Sequence, residues 1–281
     1  MRDAPGALVD NLSKEDVAVY EDAVPQKISF FAKSTDVPLT MGLIVDVSRS
    51  QDHSSKQHEH DLEVFLKEVF GPKDRAFFVT FANHIRLVSD FSPSGPEIIG
   101  RMQEDKKRNK GKNKRAEFPE LGSSESRDLG TAFYDAIYDS VTEKIARESG
   151  RRALLVFSDA EDNSSSHHIP YDDHDRDGAR RKCRCVRHSL TEKEHGKLTA
   201  RNKYGTSVMD RVAKETAGAH IDAATTDPHA YSQRIAQELR TSYELAYYPA
   251  NSVQDETFRK IVIRPKQAGF RVRTKTGYFS R

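Results

Sequence analysis

Two apolar runs that each stop on polar oxygens constrain this chain more than anything else in it. Leu43-Ile44-Val45 leads into Asp46-Val47-Ser48-Arg49-Ser50, and Ala153-Leu154-Leu155-Val156-Phe157 leads into Ser158-Asp159. An unbroken apolar run of strand length bounded by polar residues is the pattern of a strand buried on both faces, and such strands build the parallel sheets of α/β proteins. Ligands in those sheets collect at the carboxyl ends of the strands. Asp46, Ser48, Ser50 and Asp159 all fall there.

The residue types suggest the chemistry. Carboxylate and hydroxyl oxygens suit a hard divalent cation such as Mg²⁺, Mn²⁺ or Ca²⁺, and no thiolate or imidazole in these segments favours zinc or copper. Serines after a strand also cap helices and form turns, so the first segment alone leaves both readings open. A third segment adds weight: Asp128-Leu129-Gly130-Thr131-Ala132-Phe133-Tyr134-Asp135-Ala136-Ile137 combines a glycine turn and a threonine with a helix start, whose apolar face continues through Val141 and Ile145. Three chain junctions thus deliver oxygen ligands.

The order Asp-x-Ser-x-Ser, then Gly-Thr before a helix, then Ser-Asp-x-x-Asp after a strand resembles the von Willebrand factor type A domain and its metal-ion-dependent adhesion site. Residue by residue, the resemblance implies a metal set of Asp46, Ser48, Ser50, Thr131 and Asp159. In that family the serines and the threonine tend to bind the ion directly and the aspartates act partly through water. The ion, expected here to be Mg²⁺ (or Mn²⁺ or Ca²⁺), keeps residual positive charge and an open position. An acidic residue of a partner protein completes its coordination. Two residues depart from the family pattern: Arg49 stands where glycine is common, and Ala160 replaces the glycine that usually follows the last aspartate. Arg49 brings a guanidinium near the ion unless it turns outward, and Ala160 is unfavourable where the backbone needs φ > 0. Weak metal binding is the expectation.

The intervening pattern fits a doubly wound, mostly parallel α/β sheet, Rossmann-like, with helices on both faces. Leu62, Phe65, Leu66 and Val69 have helical spacing. Ala76–Phe81 and Ile85–Phe91 are strands too close in sequence for a crossover, so they pair antiparallel. This suits the antiparallel edge of the family's sheet. Further out, 12–22, 235–243, Phe258–Ile261 and Gly277-Tyr278 resemble a bacterial, acidobacterial-type group of von Willebrand A-related proteins.

The chain has 281 residues, 36% hydrophobic and 31% charged, which is globular though polar. The expected organisation is an N-terminal β flank at 1–35, the A domain at 36–241 and a C-terminal β flank at 242–281. Flanking strands are expected at Ala7–Val9, Val17–Tyr20, Lys27–Phe31, Tyr243–Tyr248, Arg259–Arg264 and Arg271–Thr276, several alternating as half-buried strands do. The simplest architecture makes one small β unit from both chain ends. The polar residues concentrate in two insertions, 103–127 and 164–205. The first holds the basic run Lys106–Arg115, but it lacks interleaved aromatics and the net charge is only +2, so a solvated insertion fits better than a nucleic-acid arm.

The second insertion does not fit the fold. After Asp159 a helix and another buried strand are required before the helix at Ser207–Thr216, yet no apolar run of strand length occurs. Three readings stay open. Cys183, Cys185 and nearby histidines could bind metal, although Cys-x-Cys without a second pair is poor zinc spacing. The stretch could be a disordered loop. Or it could be a translated frame shift: moved by one nucleotide, the codons of Lys182–His188 can encode Asn, Val/Ala, Val, Val, Phe, Ala/Gly and Ile/Thr, the missing buried strand. On that hypothesis the central sheet is one strand short. Resequencing the source DNA tests it, and an unbroken frame in close relatives overturns it.

No apolar stretch is long enough to span a membrane, and Met1–Pro5 does not read as a signal peptide. The resembled group is commonly exported, so the compartment stays open. The function implied is a metal-dependent protein-binding module with an unidentified protein partner. One alternative is a hydrolase or phosphotransferase using Asp46 as nucleophile, but Ser48 occupies the position of the usual second acid and no acid–base pair is marked, so the chain reads as a non-enzyme. The other is a structural scaffold with a decayed metal site.

Overall fold

The computed structural model describes residues 1–281 apart from 2, 4–6, 35–36, 52–54, 111–117, 123–129, 167–183, 190–192, 195–196, 199, 223–225 and 281, with the backbone alone for 34, 108–110, 184–189, 193–194, 197–198, 200–203, 215 and 222. The chain begins with β1 (Val17–Glu21), β2 (Val24–Gln26) and β3 (Ile28–Ser34). It enters the central unit with β4 (Leu39–Asp46), α1 (Ser55–Val69), β5 (Arg75–Phe81), β6 (Ile85–Ser92) and α2 (Gly95–Lys110). Next come α3 (Phe133–Asp139), which runs on as a π-helical turn over Ser140–Ile145, then β7 (Arg151–Phe157), β8 (Arg184–Ser189), β9 (Lys193–Glu194) and β10 (Lys197–Leu198). The last elements are α4 (Ala200–Glu215), β11 (Ala219–Asp222), α5 (Pro228–Arg240), β12 (Ser242–Tyr247), β13 (Phe258–Pro265) and β14 (Gly277–Phe279).

The central sheet has the order β11-β8-β7-β4-β5-β6, with β6 antiparallel to β5 and the other pairings parallel. Its strands are apolar on both faces because both faces are covered. Leu39, Met41, Leu43 and Val45 of β4 share one core with Leu62, Phe65 and Leu66 of α1, Ile98 of α2 and Ile235 and Leu239 of α5. Ile44, Phe77, Val79, Leu154 and Val156 face the other way, onto Phe133 and Ile137 of α3, Ile145, and Met209 and Val212 of α4. Period-two alternation sends successive side chains to opposite faces, which is why an unbroken apolar run fills two cores. The second core closes tightly on Gly42. A methyl there would lie 2.4 Å from Leu154 Cδ2 and 2.5 Å from Phe77 Cζ.

Asp74 ties three elements at the opposite end of the sheet from the strand-end oxygens. Its carboxylate accepts the N–H of Leu39 at 3.0 Å and of Gly71 at 2.8 Å, and pairs with Arg240 at 2.5 Å. The start of β4, the turn before β5 and the end of α5 are thereby fixed together.

The segment that on the frame-shift hypothesis would leave the sheet one strand short, and that another reading makes a disordered loop, instead supplies a strand. Arg184–Ser189 lies as β8 between β7 and β11, with Val186 opposite Leu155 and Ala219. A parallel ladder is closed by backbone N–H and C=O groups, which every residue except proline carries, so a polar sequence can occupy the position. The strand falls on the codons whose shifted frame spells the apolar run; Lys182 and Cys183 lie outside the described residues. The polar insertions are likewise more regular than expected. Gln103–Lys110 forms the last turns of α2, and α4 starts at Ala200 rather than Ser207, ending as expected where Ala217 turns left-handed (φ 58°) and the N–H of Gly218 donates to Ala213 O at 2.7 Å.

Both chain ends build the flanking β structure. The sheet β14-β13-β1-β2 is antiparallel throughout, with Val17 opposite Pro265 and Glu21 opposite Ile261, and β3 pairs with β12. Buried Glu21 accepts hydrogen bonds from the hydroxyls of Tyr247 at 2.6 Å and Tyr278 at 2.7 Å, joining three strands drawn from opposite ends of the sequence. Ala7–Val9 and Arg271–Thr276, expected to be strands, carry at most a single bridging residue each; the terminal strand forms later, at Gly277–Phe279.

Candidate metal centre

From β4 the chain goes outward to β5 and β6, then crosses back to place β7 on the other side of β4. The order reverses between β4 and β7, and at such a switch point the loops leave in opposite directions and open a crevice at the strand ends. Asp46 and Ser158-Asp159 stand side by side there.

Asp46 is fully buried. Its Oδ1 accepts the N–H of Ser48 at 2.9 Å and its Oδ2 accepts the hydroxyl of Ser158 at 2.7 Å. Burial pushes its carboxyl up to about 7; the Ser48 and Ser158 hydrogen bonds pull it down and the Asp159 charge pushes it further up. After Val47, whose N–H donates to Phe81 O at 2.8 Å, the chain makes a 3₁₀ turn over Arg49–Gln51. The turn brings the hydroxyls of Ser48 and Ser50 within 3.1 Å of each other. Arg49 is exposed, so the turn directs it outward from the buried carboxylates.

Asp159 is also buried. Its Oδ1 accepts the N–H of Glu161 at 3.1 Å, and its Oδ2 accepts the side-chain amide of Gln51 at 2.7 Å. Ala160 has φ 61°, the left-handed conformation anticipated for this position. For alanine that conformation costs about 1–2 kcal/mol. Its methyl, 1% exposed within the second core, returns about 0.8 kcal/mol, which offsets much of the strain. Close by, Gly205 of α4 passes so near that a methyl there would lie 2.1 Å from the Asp159 carbonyl oxygen.

Thr131 reaches the same edge by another route. It is buried just before α3, and the next residue, Ala132, donates its N–H to Ala82 O at 2.8 Å, immediately past the end of β5. Thr131 N–H donates to Asn163 Oδ1 at 2.7 Å, and Asn163 N–H returns to Thr131 O at 3.1 Å. Gly130, at φ 115°, makes this clasp possible, since a methyl there would meet Asn163 Oδ1 at 2.5 Å. Asp162 caps α3 from outside by accepting the N–H of Tyr134 at 3.0 Å. Asp128 and Leu129 lie outside the described residues.

All five residues singled out from sequence thus stand at the carboxyl edge of the sheet, four of them linked through direct contacts of Asp46, Ser48, Ser50, Gln51, Ser158 and Asp159. Among the described residues no group of three or more His, Cys, Asp or Glu side chains converges, so the oxygens here are hydroxyls, two carboxylates and one amide. Gln51, Ser158 and Asn163 were not anticipated. Ser158 opens the Ser-Asp-x-x-Asp motif and Gln51 follows the last serine of the first, but nothing in their spacing marks them as carboxylate partners. The alternative cysteine–histidine metal site falls on residues whose side chains are outside those described. No described helix is long and apolar enough to cross a membrane.

No family model matches the sequence, and no curated protein matches it either. Solved structures do. Proximal thread matrix protein 1 from the mussel byssus is 14% identical, with a TM-score of 0.52 over 78% of this chain and 51% of that protein. A structure of the same mussel protein with a zinc-occupied MIDAS motif gives a TM-score of 0.51 at 14% identity, over 78% of this chain and 50% of that one. A von Willebrand factor type A protein from Catenulispora acidiphila is 11% identical, with a TM-score of 0.45 over 76% of this chain and 49% of its own. This chain therefore spans about half the length of the mussel protein. With its sheet order and its antiparallel edge, the chain has the fold of the von Willebrand factor type A domain.

Proposed function

We propose that the strand-end crevice binds a hard divalent cation, Mg²⁺ in the first instance with Mn²⁺ or Ca²⁺ as substitutes, and that the chain uses it to bind a protein. Ser48, Ser50 and Thr131 would supply hydroxyl oxygens, with Asp46 and Asp159 behind them. The observation that carries the reading is the paired hydroxyls of Ser48 and Ser50, 3.1 Å apart, beside the buried carboxylates of Asp46 and Asp159 at the ends of neighbouring strands. Buried charges are ordinarily paired or coordinate a metal. A cation there would favour the ionised form of Asp46, which burial disfavours.

The partner would provide an acidic residue, because a hydroxyl-rich set leaves the ion underneutralised. The mussel structure with zinc in its MIDAS motif supports divalent binding at this type of site. For this chain the oxygen-only donors favour harder ions. Phosphotransfer through Asp46 is less well supported: the carboxylate has no exposure, and both its oxygens already accept hydrogen bonds.

Thermal melts with EDTA, Mg²⁺, Mn²⁺, Ca²⁺ and Zn²⁺ test the cation. At a hundredfold excess over Kd the ion adds about 2.7 kcal/mol of stability, and Asp46→Ala or Thr131→Ala removes the gain. Melting curves that are the same with every ion and with EDTA refute it. Pull-down from the native organism with and without EDTA tests the partner; recovery independent of EDTA counts against an acidic ligand on the metal.

A further inference from the structure

Gln51 follows the last serine of the motif and closes the 3₁₀ turn that positions it. Its side chain is 2% exposed, and its two ends are unequally satisfied: Nε2 donates to Asp159 Oδ2 at 2.7 Å, while Oε1 is buried without a hydrogen-bond partner among the described residues. The amide cannot relieve this by turning over, since the oxygen would then face a carboxylate. A buried acceptor without a partner is costly and uncommon in folded proteins. Here it lies one residue from Ser50 and one hydrogen bond from Asp159.

An amide oxygen is satisfied by an N–H, an O–H or a hard cation, and a hydrated cation offers both of the last two. Resting on the cation reading above, we propose that Gln51 is a further member of that site: its N–H orients Asp159, and its free oxygen joins the cation's coordination sphere. Asp159 would then be a carboxylate aimed by Gln51 from one side and by the Glu161 N–H from the other. The oxygen that is costly in the metal-free protein becomes a donor when the ion is present.

The test is Mn²⁺ titration of the full chain, followed by the electron-spin-resonance signal of free Mn²⁺, alongside melting in EDTA. Gln51→Leu should weaken Mn²⁺ binding by about tenfold or more, the scale seen when groups that orient or support metal ligands are removed. Its metal-free melting temperature reflects two opposed changes, loss of the unpartnered oxygen and loss of the hydrogen bond to Asp159, so the Mn²⁺ affinity of the folded variant is the deciding readout. Gln51→Glu should bind at least as tightly as wild type and melt lower in EDTA, since a carboxylate then faces Asp159. If Gln51→Leu does not fold, Gln51→Met, which keeps the length of the side chain, takes its place. Wild-type affinity in the leucine or methionine variant overturns the role of Gln51 alone, whereas absence of Mn²⁺ binding by the wild type overturns the cation reading and this one with it.

Discussion

Asp46→Asn should stabilise the metal-free protein, and by more as pH rises. Burial holds the Asp46 carboxyl at about 7 in the folded chain, against the ordinary 3.8 of an exposed aspartate. Between those values the native state keeps a proton that the unfolded state has lost, so raising the pH favours unfolding. The contribution is fully present below pH 3.8, is lost as pH rises through about 7, and is constant above. A displacement of this size corresponds to a ceiling of about 4 kcal/mol. Asparagine does not titrate, keeps an acceptor for the Ser48 N–H and can donate to the Ser158 hydroxyl. Urea unfolding of both proteins in EDTA at pH 5, 6, 7 and 8 gives a difference curve in which other titrating groups cancel. Over that window, of which only the part from pH 5 to about 7 contributes, it should climb by about 2–3 kcal/mol in favour of the variant. A flat difference across that range refutes the buried, uncompensated carboxylate. With Mg²⁺ present the advantage should narrow or reverse, since only the wild type gains from the ion.

Three further outcomes follow from contacts away from the crevice. Asp74→Ala should cost about 1–3 kcal/mol in urea unfolding, because it frees the N–H groups of Leu39 and Gly71 and leaves Arg240, part-exposed, with only the Val69 carbonyl; a loss under 1 kcal/mol would show that this tie is not structural. Gly42→Ala should cost about 1–3 kcal/mol by overpacking against Leu154 and Phe77, and an unchanged stability would mean that the second core has room to give. Tyr247→Phe and Tyr278→Phe should each cost about 1–3 kcal/mol by removing one hydrogen bond to Glu21. The double variant should depart from the sum, since both hydroxyls bond the same carboxylate oxygen; strict additivity would argue against a shared network.

The sequence by itself determined the sheet's core and the position of its oxygens. Runs such as Leu43–Val45 and Ala153–Phe157 can be satisfied only by burial on both faces, and the chain must then leave the sheet at Asp46 and Asp159. The left-handed turn at Ala160 was likewise legible, because the resembled family places a glycine there. The fate of 184–189 was not. Its side chains carry no strand signal, and its place between β7 and β11 is set by backbone pairing with neighbours far away in sequence. Nor could the turn of Arg49 outward, the hold of Gln51 on Asp159 or that of Ser158 on Asp46 be read from spacing. Each depends on which atoms meet across the junction of β4 and β7, more than a hundred residues apart. Local pattern decides what must be buried, while the unmet hydrogen bond on Gln51 and the raised carboxyl of Asp46 arise only when tertiary packing has removed the water.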